Sequence, residues 1–287
     1  MDINLAIADR ARAGETLTAA ELDELASADL LSLGMLADEV RRSRVGDTVT
    51  YVRVLECGSG AGGAGGVGRA GEVRIAALPE ALDDAIAVVK EGQQVAEGRV
   101  LAAFSLADIV DRAWAPLADV LRKLKAAGLH AMVEAPIDRI VNLEVALQAC
   151  HDAAIAVRCL SLHRPASAAR TELLIQLQSI AARFPELQTV APLPRQQSVA
   201  VPTTGYDDVR AAAMARLALP TVRNIQVDWA QYGPKLAQVA LTFGANDLDR
   251  VSPLDDETLG RRRMAVEDVK RNIAAAGFTA VERDAPA

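Results

Sequence analysis

Aromatic residues are scarce in this chain. Four Phe, three Tyr and two Trp make up 3% of its 287 residues. That excludes a core of stacked rings, so the interior must be built from Ala, Val, Leu and Ile, within a hydrophobic content of 51%. The three cysteines, Cys57, Cys150 and Cys159, exclude a disulfide framework and suit a reducing compartment. A basic excess is also lacking: 31 Lys and Arg face 38 Asp and Glu, for a net charge of −7. Nucleic-acid binding, which needs a basic face, is not expected. No apolar run approaches the roughly 18 residues of a membrane-spanning helix. The first residues, MDINLAIADRARAGE, carry acids early and lack the apolar core of a signal segment. The expected location is the cytoplasm.

What is present reads as helices followed by alternating strands and helices. Thr18-Ala-Ala-Glu21 is a capping box, in which hydroxyl and carboxylate satisfy free backbone N–H groups at a helix start. A longer helix spans Leu30 to Arg44, with Arg41, Arg42 and Arg44 at the negative end of its dipole and Gly46 as its stop. Thr48–Glu56 alternates and is rich in β-branched residues, as a strand should be. From Gly58 to Gly71, eight of fourteen residues are glycine, which predicts a flexible loop. Further strands are expected at Glu72–Leu78, Arg99–Phe104, Leu129–Glu134, Ala154–Leu160, Leu187–Ala191 and Val222–Trp229, and a short last one at Ala245–Asp249. Ser105 to Asp108 and Thr204 to Asp207 read as two more capping boxes. After Thr204, Val209, Ala213 and Leu217 share a helix face. Gly233-Pro234 starts a short helix to Leu241, expected to pack Leu236, Val239 and Ala240 on the barrel. Ser252-Pro253 opens a last helix to about Ala276, with Asp255, Asp256 and Glu257 suiting its first turn. Repeated strand–helix units predict an α/β fold, a (β/α) TIM-type barrel over residues 47–287, with an N-terminal helical segment over 1–46.

The best-defined sequence signal is a resemblance. Thr204-Gly-Tyr-Asp-Asp, Arg216-Leu, Asn224-Ile-Gln226 with Trp229, Gly233-Pro-Lys-Leu-Ala-Gln-Val-Ala-Leu, Gly244-Ala-Asn-Asp-Leu-Asp249 and the tail Val281-Glu-Arg-Asp284 follow one another in order. Weaker matches are Gly46 to Val52, Ala103 to Ser105, Leu121 to Leu129 and Pro192 to Pro194. Together they resemble the radical S-adenosylmethionine group of aminofutalosine synthase, dehypoxanthine futalosine cyclase and the deazaflavin-forming FO synthase. The resemblance implies a barrel and a place in bacterial menaquinone or deazaflavin biosynthesis. It also implies a C-x-x-x-C-x-x-C motif after the first barrel strand, whose three thiolates hold a four-iron cluster that binds S-adenosylmethionine. Here that loop has Cys57 and then glycines. The group's glycine-rich turn before a Glu is replaced by Val133-Glu-Ala-Pro136, and its Gly-His-acid turn by Leu162-His163-Arg164. Fold-bearing helices match, while cofactor-bearing loops do not.

Candidate site residues follow from predicted strand ends. Glu56 and Glu134 each end a strand and are placed to face one another across the barrel mouth, as paired carboxylates do in acid–base work; the bland alternative is solvated or Arg-paired acids. His163, with Arg158 earlier on its strand, belongs at the same mouth, as a ligand contact or as an ordinary polar loop residue. Gln226, Trp229, Asn246 and Asp247 lie in the best-matched block, for ligand contact or for closing the barrel. Cys57 reads as an inert residue at a strand end, and His130 and His151 as packing or surface groups. Gly58–Gly63 contains G-x-G-x-x-G with Glu80 downstream, but no helix follows the glycines to face a phosphate.

The expected function is that of a cluster-free, radical-SAM-like paralogue, a pseudoenzyme binding a small-molecule ligand or partnering an intact radical SAM paralogue near menaquinone (futalosine-pathway) biosynthesis. No cofactor is expected: neither a four-iron cluster, S-adenosylmethionine nor a metal. The alternatives are a non-radical enzyme acting on a futalosine-like or aromatic acid metabolite, and nucleotide or S-adenosylmethionine binding at Gly58–Gly63.

Overall fold

A computed structural model describes residues 3–57, 68–75, 77–164, 170–196, 203–253 and 266–284. Three helices come first: α1 (Leu5–Arg12), α2 (Ala19–Ala26) and α3 (Leu30–Val45). Then follow β1 (Thr48–Cys57), β2 (Glu72–Ile75), α4 (Leu82–Ala96), β3 (Val100–Ser105), α5 (Leu106–Arg112), α6 (Leu117–Ala126), β4 (Ala131–Pro136) and α7 (Leu143–Asp152). The second half holds β5 (Ala156–Val157), β6 (Leu160–Leu162), α8 (Arg170–Arg183), β7 (Thr189–Pro194), α9 (Gly205–Ala218), β8 (Asn224–Asp228), α10 (Trp229–Leu241), β9 (Asp247–Val251), α11 (Val266–Ala275) and β10 (Thr279–Glu282).

Strands β1, β2, β3, β4, β6, β7, β8 and β9 are parallel neighbours in that order, and β9 returns to β1. This is the expected closed eight-stranded barrel. β5 and β6 share one barrel position: β4 pairs first with β5 at Ala131 and Met132, then with β6 at Ala135 and Pro136. β10 lies beside the lower part of β1, pairing Thr48–Tyr51, whereas β2 takes over from Val54. The C-terminal segment therefore fills the gap that the short β2 leaves.

Local signals act where expected at most helix ends. Both Thr18–Glu21 and Thr204–Asp207 form complete capping boxes. Gly46 ends α3 with φ 65°, a left-handed conformation that costs glycine little. Gly233 breaks α10 with φ 76° and ψ 172°, so Pro234 starts its second part. Ser105 corrects the third capping box: its side chain makes no cap bond, because Asp108 is held instead by Arg139 at 3.0 Å. Val239 is a second correction. It is 46% exposed, and Ala237, Ala240 and Leu241 carry the buried face of α10. The glycines of the predicted loop up to residue 67, and the start of the last helix at residues 254–265, lie outside the described residues. Among the described residues no helix is long and apolar enough to cross a membrane.

The N-terminal helices share one core with the barrel, in which Leu33, Leu36 and Val40 join Leu217, Leu241 and Phe243. At the barrel bottom, where strands begin, Arg216 is fully buried and donates to the Gly244 carbonyl at 2.9 Å and to Asn246 Oδ1 at 2.5 Å. Burial, then the charges of Arg44 and Arg41, pull its pKa down to about 9. Gly244, at φ 96°, admits no side chain, since a Cβ there would lie 2.8 Å from that of Arg216. Asn246 also accepts the Ile225 N–H at 2.9 Å and donates to Asn224 at 3.1 Å.

Asn246→Ala should therefore cost about 2–4 kcal/mol, since it leaves one buried N–H group of the Arg216 guanidinium and the Ile225 backbone amide without an acceptor. Val239→Asp should stay within about 0.5 kcal/mol, as exposed substitutions do. Urea denaturation of both variants checks this, and the reverse ranking would refute the assignment.

Candidate functional site

In a parallel barrel, inward side chains recur every second residue along each strand. Most barrels fill these positions with branched apolar groups. Here many are charged. β2 contributes Glu72 and Arg74, β8 Gln226 and Asp228, and β9 Asp247 and Asp249, all buried. A charge taken from water costs several kcal/mol unless it is paired, and each of these finds a partner. Arg74 holds Asp249 through two contacts of 2.8 Å and also bonds Glu72. Glu72 takes Arg158 at 3.0 Å with its other oxygen. Asp249 is held far below the usual carboxylate range: burial opposes ionisation, but Arg74 overrides it.

Above this layer, at the strands' C-terminal ends, one alternating chain of charges crosses the mouth. Glu56 on β1 meets Arg250 on β9 at 2.7 Å. Arg250 meets Asp228, the last residue of β8, at 3.1 Å, and Asp228 meets Arg195, just after β7, at 2.7 Å. Arg195 reaches Glu134 on β4 at 3.2 Å, and Glu134 ends the chain on His163 Nε2 at 2.5 Å. Asp138 accepts the backbone N–H groups of His163 and Arg164, at 2.9 and 2.8 Å, and so fixes the turn that carries the imidazole. Burial raises the Glu134 pKa, but the His163 hydrogen bond and the Arg195 charge outweigh it and bring it down to about 2. A cavity of about 260 Å³ opens over this chain, lined by Glu56, Glu134, Asp228, Arg195, Arg250 and Phe104.

Glu56 and Glu134 both line the mouth cavity, each paired with an arginine, and His163 joins them through Glu134. The other candidates are elsewhere. Arg158 is buried beneath the cavity against Glu72. Trp229 is wholly buried at the start of α10, so its ring is closed to a ligand. Asn246 corrects the expectation of a strand-end position: it immediately precedes the first residue of β9 and so belongs to the barrel bottom. Asp247 lies there too, accepting Arg283 through two contacts of 2.7 Å and Gln226 at 2.7 Å. Arg195, Asp228, Arg250 and Phe104 escaped sequence reasoning. The spacing of two in Gln226/Asp228 and Asp247/Asp249 was the usable signal, since it puts polar groups inside a strand that is otherwise apolar. His130 packs: its Nδ1 accepts the Leu101 N–H at 3.0 Å. His151 is exposed beside Glu186 at 3.3 Å. Glu80, the acid downstream of the glycines, pairs with Arg112 at the surface.

Cys57 ends β1 at the mouth, while Cys150 is buried in α7 and Cys159 between β5 and β6. Burial pushes the thiols of Cys150 and Cys159 up to about 12, and that of Cys57 upward too. Among the described residues no three His, Cys, Asp or Glu are grouped to hold a metal ion.

Solved structures share this architecture. Methylornithine synthase superimposes with a TM-score of 0.69 at 16% identity, over 97% of this chain and 98% of that one. The FeFe-hydrogenase maturase from Carboxydothermus hydrogenoformans gives 0.64 at 11% identity, over 96% of this chain and 78% of that one. At such identities the likeness concerns the fold. Residues 179–285 match the family profile described as the CofH/MqnC C-terminal region. The 5-amino-6-(D-ribitylamino)uracil–L-tyrosine 4-hydroxyphenyl transferase of Methanopyrus kandleri is 30% identical over 200 residues, 58% of this chain and 53% of that protein. The aminodeoxyfutalosine synthase of Thermus thermophilus is 38% identical over 90 residues, 29% of this chain and 24% of that protein. The alignments thus span about half the length of such relatives or less. Over its C-terminal third the chain is thus similar to the CofH/MqnC C-terminal region, and over part of its length to these two enzymes.

The Glu134 carboxylate, depressed from 4.5 to about 2, stabilises the fold fully above pH 4.5, and that contribution is lost as the pH falls toward 2. Urea midpoints measured down this range should fall, and Glu134→Gln should both lower the neutral-pH midpoint and flatten the decline. An unchanged slope in the variant would place the acid sensitivity elsewhere.

Proposed function

We propose that this chain is a cluster-free paralogue within its family, a pseudoenzyme that serves menaquinone (futalosine-pathway) biosynthesis as a binding or partner protein. One observation carries the reading: β1 ends with a single cysteine, Cys57, packed against the core, and the barrel mouth is occupied by the Glu56–His163 chain of charges. A four-iron cluster asks for three thiolates in one loop. The sequence after Cys57 has no further cysteine before Cys150, and Cys150 and Cys159 are buried with raised pKa values. The donor set does not fit the cluster. The cavity suits a small molecule held by charge, and an intact radical paralogue is the partner this reading names.

A second reading, a non-radical enzyme acting on a futalosine-like or aromatic acid metabolite, is favoured by the Glu134–His163 hydrogen bond bordering the cavity, an arrangement fit for proton transfer. Turnover of such a metabolite, lost in Glu134→Gln, would select it over the first.

Anaerobic reconstitution with iron and sulfide tests the common ground of both. The protein should stay colourless and, after desalting, carry less than one iron per chain. A stable cluster absorbance with about four irons per chain would overturn the reading.

A further inference from the structure

Within the reading that the mouth holds a small molecule, we propose that its ligand is a small monocation, a molecule bearing an ammonium or other protonated nitrogen, which Glu56 receives. The case rests on charge balance around a real cavity. The chain across the mouth contains three carboxylates, Glu56, Asp228 and Glu134, and two guanidiniums, Arg250 and Arg195. Neighbouring cations are already committed. Arg74 and Arg158 balance Asp249 and Glu72. Arg139 is shared between Asp108 and Asp111, and Arg283 answers Asp247.

The imidazole at the far end is engaged within the protein: His163 Nε2 lies 2.5 Å from Glu134, and Arg139 and the Gln196 amide lie 3.5 Å from Nδ1. Among the described residues an excess of negative charge remains, since the three carboxylates of the chain face two guanidiniums, and Asp108, which also lines the cavity, shares Arg139 with Asp111. Within the chain the excess falls on Glu56, the most exposed of the three carboxylates at 22%, against 11% for Glu134 and 1% for Asp228, and its one guanidinium is shared with Asp228.

An anionic ligand would add to the uncompensated charge in a space partly shut off from water, where like charges repel strongly. A monocation reduces that excess. Phe104 lines the same cavity while its side chain belongs to the hydrophobic core. The volume of about 260 Å³ holds about nine water-sized groups, which limits the ligand to a small amine. Backbone strain marks the same place. Five non-glycine residues have positive φ; Glu97, Ala113 and Ala154 follow helices, while Phe104 at 59° and Arg250 at 55° lie within β3 and β9 and both line the cavity. Residues held in this way cluster at ligand clamps.

The test uses the full chain and two probes of similar shape and opposite charge, 2-phenylethylammonium and 3-phenylpropionate, with the neutral 3-phenylpropionamide beside them. At about 1 mM in low-salt buffer, the cation should raise the thermal midpoint by about 2–4 °C and the others should not. Titration calorimetry should show Glu56→Gln weakening the cation at least tenfold. Glu56→Lys, which puts a cation in place of the receiving carboxylate, should reverse the preference toward the carboxylate probe, a gain that a damaged fold does not produce. Stabilisation of the unaltered protein by 3-phenylpropionate would overturn the inference while leaving the mouth as a binding site. Stabilisation by none of the three would overturn the inference and the binding reading together. Equal cation affinity in the unaltered protein and Glu56→Gln would remove Glu56 as the receiving group.

Discussion

Charge inside a closed barrel has to be paired there, and most of this structure follows from that constraint. Water does not reach the inward faces of β2, β8 and β9, yet they carry Glu72, Arg74, Asp228, Asp247 and Asp249. Two guanidiniums and two carboxylates settle the middle of the barrel. At the bottom, the Asp247 charge is met from outside the eight strands by Arg283. This explains why β10 lies along β1: the pairing of Thr279–Glu282 with Thr48–Tyr51 delivers the next residue to the barrel floor. Glu282 contributes to the same anchoring by accepting Arg53 at 2.6 Å and the Tyr51 hydroxyl at 3.1 Å. Burial and the neighbouring Glu282 raise the Tyr51 phenol to about 12, which keeps it a donor.

The order of elements was largely legible in the sequence, because helix ends and strand alternation are local. Thr18, Thr204, Gly46 and Gly233 act through their own backbone neighbourhood and appear where expected. The misreadings share a cause. Ser105 has the spacing of a cap, but Asp108 is drawn away by Arg139, 31 residues along the chain. Val239 has helix periodicity, yet which stripe of a short helix faces inward is decided by α10's seat between α9 and β9. Asn246 and Asp228 both border strands; only register tells that one starts β9 and the other ends β8. Glu56 and Glu134 stand out because the predicted strands end with them, although β1 runs on to Cys57 and β4 to Pro136. The guanidiniums that join them do not, since side-chain reach across a barrel leaves no mark on local sequence.

Family likeness and site chemistry are distributed differently along the chain. The matched region, residues 179–285, brings Arg216, Gly244, Asn246, Asp247 and Arg283, which build the closed bottom. It also brings Arg195, Asp228 and Arg250, about half of the mouth. Glu56, Glu134 and His163 come from before it. Barrels separate these tasks by geometry, with stability at the strand starts and chemistry at the strand ends. A bottom held by Arg216 in contact with four successive structural partners tolerates little change, because each partner's loss leaves a buried donor unsatisfied.

The mouth is under a looser constraint, and its looseness is specific. Any set of residues that leaves the buried groups paired is acceptable to the fold, so a cluster-binding loop can be exchanged for an ionic chain without disturbing the floor. The exchange is not neutral for ligands. A cluster loop offers soft sulfur ligands, whereas the Glu56–His163 chain offers hard oxygen acceptors in a row with two fixed guanidiniums between them. Each guanidinium is shared by two carboxylates, so moving either would expose two charges at once. The row is therefore stiff in its interior and yielding only at its Glu56 end, where the β1 strand stops and the side chain is partly exposed. For the ligand proposed at this mouth, the charge of the terminal group would accordingly count for more than shape.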